Sequence, residues 1–469
     1  MEKQQDNLIT LHSRGPGQWQ EQVRRLVSLS IPAILAELSS MAMQYIDAAM
    51  VGSLGANASA SIGLVSTTIW LLSGLCISAA TGFSVQVAHL IGAGRDAEAR
   101  NVFRQALLAA LVIGVTLAVI GVSISAYLPA WLGGEPAING DAASYFFIYA
   151  CALPAVQMRQ LAGSMLQCSG NMRTPSMLNA AMCGMDVIFN ALLIFPELSV
   201  PGFGRILPGA GLGVAGAALG TALAEWLTAA LMLTAACCYS PLLRLRQKGQ
   251  WRFTRTCLRN AARIALPMAF EHSVMCGAQI ASTRIVAPLG TISIAANSLA
   301  VTAESLCYLP GYGIATAATT LVGQSLGAAR GDLARRYARL STLFAALVMG
   351  GMGVFMYLCA PFVFQLLTSD PAVRALGVHV LRIEAVAEPL YAVSIAAAGA
   401  MRGAGDTLIP SLLNLVSMWG VRITAAAMLA PRLGLIGVWL AMCGELCVRG
   451  LLFLIRLLRG KWLTRTLRL

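Results

Sequence analysis

The chain has 469 residues, of which 57% are hydrophobic and only 11% are charged. A soluble protein of this length would have about a quarter charged residues, so the composition excludes an ordinary soluble globular protein. The formal net charge of +13 would suit a nucleic-acid-binding protein, but the basic residues are distributed in the way that is typical of a membrane protein.

Apolar runs recur along the whole chain, and each is long enough, at about 20 residues, to span a bilayer as a helix. The runs are continuous rather than alternating, which argues against a β-barrel. We therefore predict an all-α membrane protein with twelve transmembrane helices. The predicted spans are 26–50, 59–84, 106–128, 142–166, 175–196, 211–237, 262–287, 293–323, 340–365, 376–400, 410–430 and 434–456.

The loops between these spans alternate in charge. Basic residues cluster in every second loop, around Arg100, Arg246 and Arg335 and again in the C-terminal tail. An excess of arginine and lysine marks cytoplasmic loops, so both termini are predicted to be cytoplasmic. The polar segment that precedes the first span lacks an apolar stretch, and we do not expect it to be a signal peptide.

The second half of the chain repeats the first at one constant offset, which is the separation between Pro32 and Pro267. The other positions matched at this offset are Leu54-Gly55 and Leu289-Gly290, Gly92-Ala93 and Gly327-Ala328, Ala99-Arg100 and Ala334-Arg335, Pro154 and Pro389, and Pro175-Ser176 and Pro410-Ser411. Two apolar halves of six spans, both beginning at the cytoplasmic face, are typical of a transporter with parallel repeats and a central site. We predict an N-terminal lobe over 1–240, a basic cytoplasmic linker over 241–259 and a C-terminal lobe over 260–469. The first half also has an extra Pro/Gly-rich loop at 196–211.

Polar side chains at membrane depth are costly, and those of the first half follow two helical stripes. The first span has Glu37, Gln44 and Asp47 on one face. The fifth span has Asn179, Asp186 and Asn190 on another. A carboxyl group shielded from water can hold or release a proton, and with neighbouring oxygens it could bind sodium instead. We predict that Asp47, Asp186, Asn190 and Asn179 form an ion-coupling site, with Glu37 and Gln44 in the adjacent cavity.

The second half does not repeat these acids, because Asp47 aligns with Ser282 and Asp186 with Val421. Its candidates for the cavity are Glu271, His272 and Tyr391, which offer a carboxylate, a titratable imidazole and an aromatic ring for a flat cation. Arg382 and Glu384 are expected to pair or to reach the membrane interface near a span end. Further intramembrane ionisable residues are Glu225, Glu304, Glu388, Arg422 and Glu445.

Several stretches carry a family resemblance. They include SIPAILAELSSMAMQYIDAAMVGSLG and RTPSMLNAAMCGMDVIFNALLIF in the first half, and PGYGIATAATTLVGQSLGAA and MRGAGDTLIPSLL in the second. In this order the chain resembles the MATE family of multidrug and toxic compound extrusion transporters over residues 24–457. The resemblance implies a two-lobe antiporter that alternates between inward-open and outward-open states. It also implies export of organic cations or related amphiphiles in exchange for protons or sodium.

The details of the resemblance favour coupling in the first half. Asp47 follows Pro32 at the spacing at which DinF-like members place their first-helix aspartate. In the fifth helix the family often has Asn followed one turn later by Asp, whereas this chain has Asp186 and then Asn190. NorM-like members have a seventh-helix glutamate about two turns after the proline, but Glu271 comes one turn after Pro267. By spacing from Arg402, their tenth-helix aspartate would fall near Tyr391, and this chain lacks it. The pattern is therefore closer to the DinF-like type.

The leading hypothesis is a multidrug or metabolite exporter in a bacterial inner membrane, driven by protons or by sodium. We expect a monomer that is embedded in the lipid bilayer and binds a cationic or amphiphilic small molecule as its substrate. We expect no nucleic-acid partner. The alternative is a lipid-linked saccharide flippase of the same superfamily. An enzyme is not expected, because the sequence has no phosphate-binding loop, metal-ligand spacing or nucleophile constellation. We also expect no cofactor and no bound metal.

Overall fold

The computed structural model describes residues 18–200, 204–246, 249 and 251–464, and these form twelve helical spans. Spans 1 to 6 are Gln18–Gly52, Ala56–Gly92, Asp96–Ile124, Pro136–Cys168, Arg173–Ile194, and Gly213–Thr234 with a π-helical end at Ala235–Tyr239. Spans 7 to 9 are Arg255–Val286, Thr291–Gly327 and Gly331–Leu367. Span 10 joins Pro371–Ala385 to Glu388–Gly403, span 11 joins Leu408–Leu415, π-helical Val416–Ile423 and Thr424–Leu433, and span 12 is Leu435–Arg459. Short helices occur at Leu128–Trp131, Ala287–Leu289 and Lys461–Thr464.

The predicted spans agree with these helices to within a few residues at most ends. Among the described residues, nine helices are long and apolar enough to cross a membrane. The other three are spans 4, 7 and 10. Span 10 is too short in each of its two pieces, and span 7 carries several charged residues. The outer surface of span 9 is apolar, as expected for a surface in contact with lipid. Its exposed side chains include Leu347, Val354 and Leu358, with exposed fractions of 67%, 64% and 69%.

Two features depart from the predicted helices. The sequence predicts an unbroken helix over 376–400, but span 10 is interrupted at Val386 and Ala387. Pro389 contributes to the break, because its ring cannot donate a backbone hydrogen bond and clashes with the carbonyl of Ala385, one turn earlier. It is not sufficient, since span 4 runs unbroken past the matching Pro154. In addition, the extra loop at 196–211 folds as an antiparallel hairpin of β1, Glu197–Val200, and β2, Gly204–Pro208. The polar segment before span 1, for which no signal peptide is expected, lies almost entirely outside the described residues.

The chain divides into two compact units. One comprises Leu38–Val87 and Asp96–Ala265, and its core includes Val65, Leu72, Phe146 and Leu153. The other contains the chain up to Glu37, the segment Ala88–Arg95 and the chain from Leu266 onward. Its core gathers around Trp439, Phe364 and Tyr337. The predicted lobes at 1–240 and 260–469 remain a prediction, since these units assign the start of span 1 and the end of span 2 to the second-half group.

The internal repeat produces a pair of equivalent backbone contacts where the ends of spans 2 and 8 cross. This crossing lies inside the second of these units. A Cβ on Gly92 would lie 2.0 Å from the carbonyl oxygen of Gln324, and a Cβ on Gly327 would lie 1.9 Å from that of His89. The two contacts are related by the repeat, because the offset that joins Gly92 to Gly327 also joins His89 to Gln324. The crossing therefore depends on two glycines that let the backbones touch.

Candidate functional site

The predicted coupling residues of the first half come together, apart from Asn179. Span 1 supplies Asp47, which is exposed in part, and span 5 supplies Asp186 and Asn190, which are 0% and 1% exposed. The Asn190 amide nitrogen donates to Asp47 Oδ1 at 2.9 Å and to Asp186 Oδ2 at 3.1 Å. The two carboxyl groups are therefore neighbours, bridged by one amide nitrogen. We call Asp47, Asp186 and Asn190 the first-half acid pair with its bridging amide.

The chemistry of this arrangement follows from the number of donors. Asn190 has two N–H groups and uses one on each carboxyl group, and the Thr221 hydroxyl lies beside Asp186. Two carboxyl groups in contact repel when both are ionised and attract when they share a proton. The site can therefore hold a proton between its two acids, with Asn190 keeping their spacing.

Gly220 of span 6 makes room for the bridging amide. A Cβ on Gly220 would lie 2.0 Å from Asn190 Oδ1 and 3.0 Å from the Asn190 backbone nitrogen. Any larger residue would displace Asn190 or push spans 5 and 6 apart. The geometry of the acid pair thus rests on a glycine that the sequence analysis did not single out.

Asn179 belongs to a different polar group in the same unit. Arg159 of span 4 forms a two-point ion pair with Glu225 of span 6, with nitrogen–oxygen distances of 2.6 and 3.0 Å. Arg159 Nη1 also donates to Asn179 Oδ1 at 3.4 Å. The sequence analysis overlooked Arg159, although a lone arginine in the middle of an apolar span was a usable signal. Each ion of this pair neutralises the other, so neither is left as an isolated charge.

Glu37 and Gln44 are the two residues of span 1 that were predicted to line the adjacent cavity. Gln44 is exposed, and Glu37 is half-buried and belongs to the other compact unit. Their assignment to a cavity stays a prediction.

In the second half, Glu271 is held by three polar neighbours. Ser411 Oγ donates to Glu271 Oε2 at 2.6 Å, Asn414 Nδ2 donates to Glu271 Oε1 at 2.5 Å, and Arg402 lies 3.9 Å from Oε1. His272 is half-buried and interacts electrostatically with Arg402 and Glu271. A carboxylate with two donors and an arginine is well satisfied as an anion. Glu271 is therefore suited to a fixed structural charge.

Tyr391 lies among side chains of the same unit. Its ring meets that of Tyr308 edge to face at 5.8 Å, and the guanidinium carbon of Arg449 lies 5.1 Å from the Tyr391 ring centre. Arg449 in turn pairs with Glu445 at 3.0 Å. The face of the ring on which a flat cationic ligand would stack is thus next to a protein cation.

Glu384 contradicts its predicted role. It was expected to pair or reach the interface near a span end, but it is 0% exposed and lies beside the break in span 10. The prediction was wrong because a proline in a span does not by itself indicate a break, as the unbroken helix around Pro154 shows. Among the described residues, no group of three or more His, Cys, Asp or Glu side chains is arranged to hold a metal ion.

Comparison with known proteins identifies the family. The MatE family model matches residues 32–192 and 267–428, one match in each half of the repeat. The chain belongs to the MatE family. It is thus a multi-pass membrane transporter, and its relatives are transporters rather than enzymes.

Individual relatives agree over nearly the whole chain. A probable multidrug resistance protein NorM of Thermotoga maritima is 25% identical over 445 residues, covering 94% of this chain and 93% of its own. The multidrug resistance protein NorM of Aliivibrio fischeri is also 25% identical, covering 95% and 96%. A MOP superfamily transporter from Pyrococcus furiosus superposes with a TM-score of 0.86 at 19% identity, covering 95% and 97%. A crystal structure of a MATE protein superposes with a TM-score of 0.86 at 20% identity, covering 95% of this chain and 98% of its own, so the described fold is the MATE fold of twelve helices in two lobes.

Proposed function

We propose that this MatE protein is a secondary active antiporter that exports organic cations, drugs or related amphiphilic metabolites in exchange for protons. The observation that carries the proposal is the contact of Asp47, Asp186 and Asn190. One of these acids is partly accessible and the other is fully buried. The names of the relatives support multidrug export as the biological role.

Exchange follows if the proton and the substrate compete for the same acid pair. A protonated pair is neutral overall or carries one negative charge, whereas a fully ionised pair attracts an organic cation. If each ligand stabilises a different conformation, binding one promotes release of the other, and alternation moves them in opposite directions. Asn190 serves both states, since its two N–H groups stabilise whichever carboxyl oxygens are ionised.

We propose the proton rather than sodium as the coupling ion. The side-chain oxygens gathered at this site come from Asp47, Asp186, Asn190 and Thr221, and Asn190 turns its N–H groups toward the two acids. Donors aimed at both carboxyl groups support a shared proton and leave fewer oxygens for a metal cation. We also propose the DinF-like pattern of coupling in the first half, because Glu271 is already held by polar neighbours.

The remaining proposals concern location. We propose that the protein lies in the bacterial inner membrane as a monomer, with both termini in the cytoplasm. The alternation of basic loops supports this orientation.

The test is ethidium export from proteoliposomes, with a proton gradient and a sodium gradient imposed separately. The variants are the wild type, Asp47→Asn and the control Asp141→Asn, which replaces an exposed acid at the start of span 4. We expect proton-driven export in the wild type and the control, and its loss in Asp47→Asn. Export driven only by sodium, or full proton-driven export by Asp47→Asn, would contradict the proposal. Absence of organic-cation export under both gradients would contradict it as well.

A further inference from the structure

A basic cleft lies where span 9 begins, inside the second unit. Its residues come from the first turns of span 9 and from the short helix Lys461–Thr464, which follows span 12. The cleft has a volume of about 490 Å³, and its lining consists of Gly331, Asp332, Arg335, Arg336, Arg339 and Leu463. We call it the span 9 arginine cleft. The proposed export function uses none of these side chains.

The three arginines of the cleft are exposed and carry an uncompensated positive charge. Among the described residues, no carboxylate forms an ion pair with any of them. The acid in the lining, Asp332, lies 3.6 Å from Arg330, which is a further arginine beside the cleft. A guanidinium group stays protonated at any physiological pH. The cleft therefore keeps a net positive charge that a bound anion could neutralise.

The first half of the repeat treats the equivalent arginines differently. At the repeat offset, Arg335 corresponds to Arg100 of span 3. Arg339 corresponds in the same way to Arg104. Arg100 Nη1 donates to the carbonyl oxygen of Leu242, in the segment between the two halves, at 3.3 Å, and Arg104 is buried. The first half thus covers these donors with its own chain, whereas the second half leaves them available to a ligand.

Gly460 holds the guanidinium of Arg335 in place. It ends span 12 in the left-handed conformation, with φ of 69°, which glycine adopts without strain. A Cβ on Gly460 would lie 2.9 Å from Arg335 Nη2, so the guanidinium rests against the bare glycine. The short helix that follows is anchored by the buried Trp462, whose Nε1 donates to the carbonyl oxygen of Leu457 at 3.2 Å. Arg335 therefore loses less freedom when it binds a ligand.

The chemistry of the cleft suits a phosphate group. Guanidinium groups present their donors in a planar fork that matches the oxygens of a phosphate. Arg335 and Arg339 lie one helical turn apart on the same side of span 9, and Arg336 lies beside them. The cleft also includes the first turn of this helix, whose partial positive charge adds to the attraction.

The position of the arginines on span 9 favours the phosphate of a lipid over a free phosphate ion. Helical periodicity places Leu343 and Leu347 on the same face as Arg336 and Arg339, one to three turns further along the helix. Both leucines are exposed and belong to the apolar outer surface of span 9. A lipid whose phosphate is held by the arginines would therefore have a surface for its acyl chains on the same helix. Leu463 adds an apolar contact within the cleft itself.

We propose that the span 9 arginine cleft binds the phosphate group of an anionic phospholipid, whose acyl chains lie along Leu343 and Leu347. Clusters of basic residues next to a membrane span attract anionic lipids in this way. The cleft lies near the C-terminal tail, at the face that we propose to be cytoplasmic. This inference involves neither the first-half acid pair nor the exported compound. It can therefore fail while the proposed export stands, and the reverse is also true.

The experiment is native mass spectrometry of the purified full-length protein in a neutral detergent. The protein is titrated with phosphatidylglycerol, with zwitterionic phosphatidylcholine and with inorganic phosphate. The cleft variant is Arg335→Gln/Arg336→Gln/Arg339→Gln. The matched control, Arg252→Gln/Arg255→Gln/Arg259→Gln, removes three exposed arginines at and just before the start of span 7. The two variants have the same net charge, and their melting temperatures verify that both are folded.

We expect the wild type and the control to bind phosphatidylglycerol more tightly than phosphatidylcholine. The cleft variant should lose affinity for phosphatidylglycerol by about tenfold or more, because three attractive charges are removed. Inorganic phosphate should not displace the bound lipid. The proposal is overturned if the cleft variant binds phosphatidylglycerol as tightly as the wild type, or if the control loses as much affinity as the cleft variant. Displacement of the lipid by an equal concentration of inorganic phosphate would also overturn it, since the cleft would then be a site for a free anion.

Discussion

Gly220→Ala should disrupt the first-half acid pair without touching an ionisable group. The added Cβ would lie 2.0 Å from Asn190 Oδ1, whereas ordinary van der Waals contact begins at 3.4 Å, so the two atoms must move well apart. Turning the Asn190 side chain is not sufficient, because the backbone nitrogen of Asn190 would also lie 3.0 Å from the new atom. The required movement is large enough to carry at least one of the hydrogen bonds of 2.9 and 3.1 Å out of range.

Two energies oppose each other in this variant. Replacing a glycine inside a helix by alanine favours the helix by about 1 kcal/mol. Overpacking a close contact costs about 1–3 kcal/mol, and losing a hydrogen bond to a charged group costs about 1.5–3 kcal/mol. The losses outweigh the gain, and a net deficit of about 1.4 kcal/mol already corresponds to a tenfold change in an equilibrium.

The assay is the initial rate of proton-driven ethidium export by Gly220→Ala in proteoliposomes. We expect a rate about tenfold below the wild type, together with a lower melting temperature. Gly184→Ala is the matched control, because it lies on span 5 and its Cβ would meet nothing within 4 Å. If Gly220→Ala and Gly184→Ala behave alike in rate and melting temperature, the proposed role of Asn190 as a fixed bridge is refuted.

Three further predictions test other contacts. Arg159→Met should lower the melting temperature in detergent, because it leaves Glu225 buried and unpaired at a cost of about 3–5 kcal/mol. Adding Glu225→Gln should restore part of that loss. Equal melting temperatures of the single and double variants would contradict this. Glu271→Gln should keep proton-driven export within a few-fold of the wild type, since Glu271 is already satisfied, and complete loss would show that it couples. Gly327→Ala should destabilise the protein by about 1–3 kcal/mol, whereas Gly351→Ala, with nothing within 4 Å, should not; equal melting temperatures would count against the crossing.

The helical fold is largely predictable from the sequence because lipid imposes a simple rule on composition. Every span must be about 20 apolar residues long, so continuous runs such as 59–84 mark helices directly. The constant repeat offset likewise makes Gly92 and Gly327 equivalent positions, but their meeting at a crossing is visible only in the structure. The break in span 10 escapes this reasoning, since Pro154 and Pro389 look equivalent in sequence while only the second lies beside an interruption.

The candidate site is partly predictable for a related reason. Asp47, Asp186 and Asn190 stand out because polar residues are rare in apolar spans, and helical periodicity places them on single faces. The partner of Asn179 could not be predicted, because Arg159 lies on a different span and no local pattern links the two. Contacts between distant helices depend on packing, which a single sequence does not encode locally.

The most direct test of the central claim is whether a substrate gradient moves protons through the first-half acid pair. Proteoliposomes containing a trapped pH indicator would receive an ethidium gradient with no ion gradient imposed. Coupling is reciprocal, so the account predicts proton movement opposite to ethidium in the wild type and none above background in Asp47→Asn and Asp186→Asn. Equal proton movement in the wild type and both variants would contradict it.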